Sequence, residues 1–190
     1  MKTLKVFIFV FSFSLHALGQ TSVAVKPDTS AAIKKGQTLQ LINGSRPLLV
    51  IDNVLIPDSV ADKTFTTLDP KAILEISVLK DSAASNLYSP AGNRSVLIIT
   101  NRAYAIAQYQ KKFSTFSRDY KKYLRLHKYD DSNLVYVLNG VPMAADEKDN
   151  IKMIYDSLGR LSSVGFLKSD ASVNYYPERT SPVLIINTRK

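Results

Sequence analysis

The 190-residue chain contains no cysteine. That excludes disulfides, thiolate chemistry, cysteine-ligated metals and a lipid-modified N-terminal cysteine. Histidine is almost as scarce: His16 directly follows the first apolar stretch, and only His127 remains beyond it. One histidine without a cysteine cannot complete a catalytic triad or a zinc site. The seven glycines form no phosphate-cradling loop. No apolar run approaches the roughly 20 residues that a membrane-spanning helix needs.

What is present starts with an address. Lys2 and Lys5 precede the apolar run Val6–Leu15, and Ala17-Leu18-Gly19 places small residues where a signal peptidase reads. Residues 1–19 are expected to be a secretory signal peptide cleaved before Gln20, not an anchor, because the run is too short to span. The formal charge is +9, and losing Lys2 and Lys5 leaves +7. A basic exported chain meets anionic headgroups, acidic polysaccharide or acidic proteins before nucleic acid. Apolar residues make up 45% of the sequence, enough for a packed core.

The N-terminal segment 20–46 is polar, with a short alternating stretch at Thr38–Leu41. Beyond it, Leu48–Ile51 and Val54–Ile56 are apolar runs split by Asp52-Asn53, which predicts a tight turn within one sheet. A short helix is expected over 60–67, broken by Leu68-Asp69-Pro70, and a strand over 75–80. Ser82–Tyr88 suits another short helix, and Val96–Ile99 reads as a buried strand. From Ala103 to Lys128 there is neither Gly nor Pro, and Tyr109, Phe113, Phe116, Tyr120, Tyr123 and His127 recur at helical spacing. This predicts one amphipathic helix of about 25 residues with an aromatic stripe. Its other faces carry the candidate interaction surface: Lys111, Lys112, Arg118, Lys121, Lys122, Arg125 and Lys128.

After that helix the first pattern returns. Strands are expected at Val135–Leu138, from Val141, at Leu161–Lys168 and at Val183–Ile186, with helices at 146–156 and Asp170–Tyr176. The likeness is positional. Val50 and Val54 match Val137 and Val141 at an offset of 87. Leu79, Lys80, Ala83, Asn86 and Tyr88 match Leu167, Lys168, Ala171, Asn174 and Tyr176 at 88. Val96-Leu97-Ile98-Ile99 and Arg102 match Val183-Leu184-Ile185-Ile186 and Arg189 at 87. Apolar strands alone would not also align Lys, Asn and Tyr, so a duplicated module is expected.

The first copy resembles the plug of TonB-dependent outer-membrane receptors. The likeness is carried by Pro47–Val54, Leu68-Asp69-Pro70, Ile73–Asp81, Ala83–Tyr88 and Val96–Thr100. These are similar to the family's strand ending in Asp-Gly-Val, its strand ending in Val-Leu-Lys, its Ala-rich helix ending in Leu-Tyr-Gly, and its final Ile-Thr strand. The family glycines are Ser89, and Ser95 or Pro182, in this chain. No barrel is present, since a large receptor barrel needs some 22 strands. The resemblance implies a stand-alone, duplicated plug-like module without a catalytic group, associated with outer-membrane transport.

Other chemistry weighs little. His127 fits the helix stripe, or a place beside Asp130-Asp131, better than a base or a ligand. Ser77-Val78-Leu79-Lys80 matches Ser-x-x-Lys, but a strand puts residues three apart on opposite faces. Asp146–Asn150 lacks the ligand order and central glycine of a calcium loop and suits an acidic helix start. The expectation is an α+β fold: two plug-like strand–helix–strand modules with small mixed sheets (47–102 and 133–190), joined by a long amphipathic helix (103–132). The expected role is non-enzymatic binding without a cofactor or metal. The expected partners are an outer-membrane receptor or transport protein, or alternatively an anionic lipid or glycan surface met by the basic helix. Aromatic burial against the sheets is the favoured role of the stripe, with tyrosine in place of leucine suggesting a partly wet interface.

Overall fold

The computed structural model describes residues 46–79, 94–144, 148–172 and 181–189. The expected signal peptide, the segment to Ser45 and the helix over Ser82–Tyr88 lie outside the described residues. So does the later part of the one expected over Asp170–Tyr176.

Strand β1 (Leu48–Ile51) turns back into β2 (Val54–Ile56). Asp52 and Asn53 make the turn at φ 51° and 66°, as a two-residue hairpin with both central residues left-handed requires. Helix α1 (Asp58–Thr67) follows, then a 3-10 turn at Pro70–Ala72 and strand β3 (Ile73–Leu79). Asp69 caps that turn by accepting the Lys71 N–H at 3.0 Å. Strand β4 (Val96–Asn101) runs parallel to β1 and antiparallel to β3, so the sheet order is β2-β1-β4-β3. Ala61 and Phe65 of α1 pack on Leu49, Ile73 and Ile99.

The second half repeats this order of elements. Strands β5 (Val135–Leu138) and β6 (Val141–Ala144) form a hairpin about Asn139-Gly140, at φ 50° and 86°. Helix α4 (Lys148–Ser157), the 3-10 turn Leu158–Arg160, strand β7 (Leu161–Leu167), the one-turn helix α5 (Ser169–Ser172) and strand β8 (Val183–Thr188) complete it. The order β6-β5-β8-β7 is that of the first sheet. Register agrees as well: Leu48 pairs with Val96 and Val135 with Val183, both in parallel. Even the irregularity recurs, between Ile73 and Glu75 in one copy and Leu161 and Ser163 in the other. Val50 and Val96 are buried on one face of the first sheet, and their repeat partners Val137 and Val183 on the same face of the second. The expected architecture of two similar modules in an α+β fold is what the structure shows.

The helical segment between the modules departs from expectation in one respect. It divides into α2 (Arg102–Phe116) and α3 (Arg118–Leu126) at Ser117, which is extended at φ −126° and ψ 113°. Ser117 serves both ends. Its N–H donates to the Phe113 carbonyl at 2.9 Å, and its hydroxyl accepts the Tyr120 N–H at 3.2 Å. Serine satisfies an orphan donor at a helix start, so the chain can break here without glycine or proline. That is why the break was not visible in the sequence.

The aromatic stripe builds the main core. Tyr109, Phe113, Tyr120 and Tyr123 are buried against Tyr136, Val164, Leu184 and Ile186 of the second sheet, with Ile151 and Ile154 of α4. Each such ring contributes roughly 1.5–3 kcal/mol when fully buried. The rings meet in favourable geometries, including Tyr109 stacked on Phe113 at 5.5 Å and edge-on to Tyr136 at 5.9 Å. Two members of the stripe stay outside this core: His127 is exposed, and Phe116 lies exposed beneath the Lys112 ammonium at 5.9 Å. Leu74 of β3 enters the same core, and Lys152 of α4 bridges Glu75 at 3.0 Å and Asp156 at 2.8 Å. Leu74 and the Lys152–Glu75 pair tie the modules together.

Candidate functional site

Helices α2 and α3 turn their buried aromatics inward and enclose an open cleft of about 610 Å³ on the other side. Helix α2 lines it with Gln110, Lys111, Ser114 and Thr115, whose spacing of three and four places them on one helix face. From α3 come Lys121, Leu124 and Arg125, and Tyr129, just beyond that helix, completes the lining. The lining contains three cations and no carboxylate. Lys111, Lys121 and Arg125 are exposed, and none forms an ion pair with a described carboxylate.

Tyr129 is set by the way α3 ends. Lys128 and Tyr129 are both left-handed, at φ 52° and 63°. This conformation costs a non-glycine residue roughly 1–2 kcal/mol and persists only where its surroundings impose it. Here they do. The Tyr129 N–H donates to the Leu124 carbonyl at 2.7 Å, and the Tyr129 carbonyl accepts the side-chain amide of buried Gln110 at 3.1 Å.

Two residues further on, Asp131 turns into the core. Its carboxylate accepts the Tyr120 hydroxyl at 2.7 Å and the Tyr136 hydroxyl in a short contact. Burial pushes the Tyr136, Tyr120 and Tyr109 phenols well above their ordinary pKa, and the nearby Asp131 charge adds to the rise. The phenols therefore stay protonated, and those of Tyr120 and Tyr136 donate to the carboxylate. Asp131 is engaged from inside and forms no ion pair with the cleft cations.

Of the seven basic residues marked by sequence, the structure brings three together at the cleft: Lys111, Lys121 and Arg125. Lys112, Arg118, Lys122 and Lys128 are exposed but do not line it. Gln110, Ser114, Thr115 and Tyr129 were not anticipated as site residues. The i, i+3, i+4 pattern of small and polar residues on α2 was the available signal. The stripe's tyrosines do not form a wet interface. Tyr109, Tyr120 and Tyr123 are buried, and Asp131 takes up the Tyr120 hydroxyl.

The remaining candidates stay apart from any constellation. The His127 ring stacks on Tyr123 with centroids 3.9 Å apart, and its Nδ1 lies 2.9 Å from the Tyr123 carbonyl oxygen. Ser77 sits in β3, while Lys80 lies outside the described residues. Asp149 occupies the first turn of α4, and Asp146 and Glu147 lie outside the described residues. Among the described residues no group of His, Cys, Asp or Glu is placed to hold a metal, and no helix is long and apolar enough to cross a membrane. Compared with known proteins, the chain matches no family model, no curated protein and no solved structure.

Proposed function

We propose that this is a non-enzymatic, exported binding protein whose α2–α3 surface recognises anionic groups of the cell envelope. The observation that carries the reading is the cleft, where Lys111, Lys121 and Arg125 share one concavity without a carboxylate. Like charges gathered in a concave, partly apolar wall raise the local potential and concentrate anions. Sedimentation with anionic vesicles, zwitterionic vesicles and an acidic glycan polymer at two salt concentrations tests it. Pelleting with the anionic materials that weakens as salt rises is the expected result. Equal pelleting with zwitterionic vesicles contradicts it.

A second reading places the protein beside an outer-membrane receptor or transport protein. The plug-like motifs support it, and so do the sheet edges. Val54 and Leu55 of edge strand β2, and Val141 of edge strand β6, are exposed apolar residues, suited to an added strand from a protein partner. Crosslinking in the native envelope that returns a transport component supports this reading, and its repeated absence counts against it.

A further inference from the structure

We propose that the α2–α3 cleft holds a single acidic sugar unit, a saccharide ring bearing a carboxylate or a phosphate. The inference rests on the anion-recognition reading and narrows its ligand.

Size comes first. A cleft of about 610 Å³ falls among pockets that enclose a small molecule, about 300–1,000 Å³. A bare oxyanion would leave most of that space to water. A concavity between two helices takes up a discrete molecule, a protruding chain end or a single lipid headgroup, one anionic unit at a time.

The lining sets the chemistry. Lys111, Lys121 and Arg125 offer charged donors, and the Arg125 guanidinium adds a planar fork matched to a carboxylate or phosphate. Ser114 offers a hydroxyl that both donates and accepts, and Thr115, whose hydroxyl donates to the Lys112 carbonyl at 2.7 Å, offers an acceptor. A ligand that uses all of them carries an anionic head and neutral oxygens as well. Exposed Ala107 adds an apolar patch to the lining.

Tyr129 supplies the platform. The residue is 65% exposed, yet its backbone is held at both N–H and carbonyl, the latter by a buried glutamine. An exposed aromatic on a fixed backbone presents a flat apolar face with a polar rim. The C–H face of a sugar ring packs on such a surface while its acid group reaches the cations. An aromatic base could also stack there, and the test separates the two.

The test is a titration of the full chain, followed by NMR, with glucuronic acid, glucose 6-phosphate, glucose, inorganic phosphate and adenosine monophosphate. The two acidic sugars should bind saturably and shift cleft signals, with glucose and inorganic phosphate at least tenfold weaker. Arg125→Ala and Tyr129→Ala should each weaken acidic-sugar binding at least tenfold with unchanged circular dichroism, while Tyr129→Phe retains it. Phosphate binding as tightly as the acidic sugars overturns the proposal in favour of a plain anion site, and tighter adenosine monophosphate overturns it in favour of base stacking. If no probe binds while anionic vesicles still do, the sugar assignment fails and the broader reading stands. If vesicle binding also fails, both fall.

Discussion

The Asp52 carboxylate holds Asn101 twice: Oδ1 accepts the Asn101 backbone N–H and Oδ2 accepts its side-chain amide, both at 2.8 Å. The same device recurs 87 residues on. Asn139 Oδ1 accepts the Thr188 N–H at 2.9 Å, and the Asn139 amide donates to Thr188 Oγ1 at 3.0 Å. Each hairpin turn is thereby fastened to the last residue of the parallel strand beside it.

Loss of this fastening should be unequal in the two copies. Hydrogen bonds to a charged group contribute about 1.5–3 kcal/mol, against about 0.5–1.5 for neutral ones. Alanine at either turn adds strain, because both positions are left-handed. Asp52→Ala is therefore expected to lower the urea midpoint more than Asn139→Ala. The reverse order contradicts the assignment.

The buried carboxylate gives a second expectation. Asp131→Ala leaves the Tyr120 and Tyr136 hydroxyls without their acceptor in a closed core, and each orphaned buried donor costs about 1–3 kcal/mol. Tyr120→Phe removes one donor and orphans nothing else of comparable burial, so it should cost less. Denaturation should rank Asp131→Ala well below Tyr120→Phe, and both below the exposed Asp119→Ala. An Asp131→Ala protein as stable as Asp119→Ala is incompatible with the cluster.

The same phenols set an alkaline limit. Burial raises the folded-state pKa of Tyr109, Tyr120 and Tyr136, while in the unfolded chain they titrate near about 10. Their contribution is complete below that unfolded value. It declines as pH rises beyond it, because the unfolded state then loses protons that the folded state keeps. Stability should be flat from about pH 8 to 9.5 and fall above about 10. Tyrosinate absorbance should then appear together with unfolding, not before it. Ionisation of all the tyrosines while the circular dichroism stays native contradicts this.

Ser117→Ala removes the hydroxyl that accepts the Tyr120 N–H. Loss of a serine cap costs about 0.5–2 kcal/mol. The effect should be confined to the start of α3, where hydrogen exchange at Tyr120 and its neighbours accelerates while the sheets are unchanged. Uniform acceleration across the molecule contradicts a local cap.

Much of the fold could be read from the residues themselves. Asp52-Asn53 and Asn139-Gly140 mark turns because they tolerate left-handed backbone, and the apolar runs beside them had to be strands. The offset matches reported a duplication that recurs in strand order, register and irregularity. Ser117 was not legible, because a serine cap uses one hydroxyl and leaves helical periodicity intact on both sides. The Asp131 cluster was hidden for a different reason. Its partners come from α3 and β5, and only the folded chain turns an acidic residue next to a helix end into a core acceptor. The cleft was half visible. The seven basic residues were identified by charge, but the selection of Lys111, Lys121 and Arg125 depends on how α2 and α3 meet across the Ser117 break.

Charge reversal at matched positions on α3 bears most directly on the functional account. Arg125→Glu lies in the cleft and Lys122→Glu lies on the same helix outside it, so both change net charge equally. If the cleft is where anions are recognised, Arg125→Glu abolishes binding to anionic vesicles and acidic glycan, while Lys122→Glu keeps most of it. Equal losses from the two substitutions would mean that only overall basicity matters, and the cleft would have no recognition role.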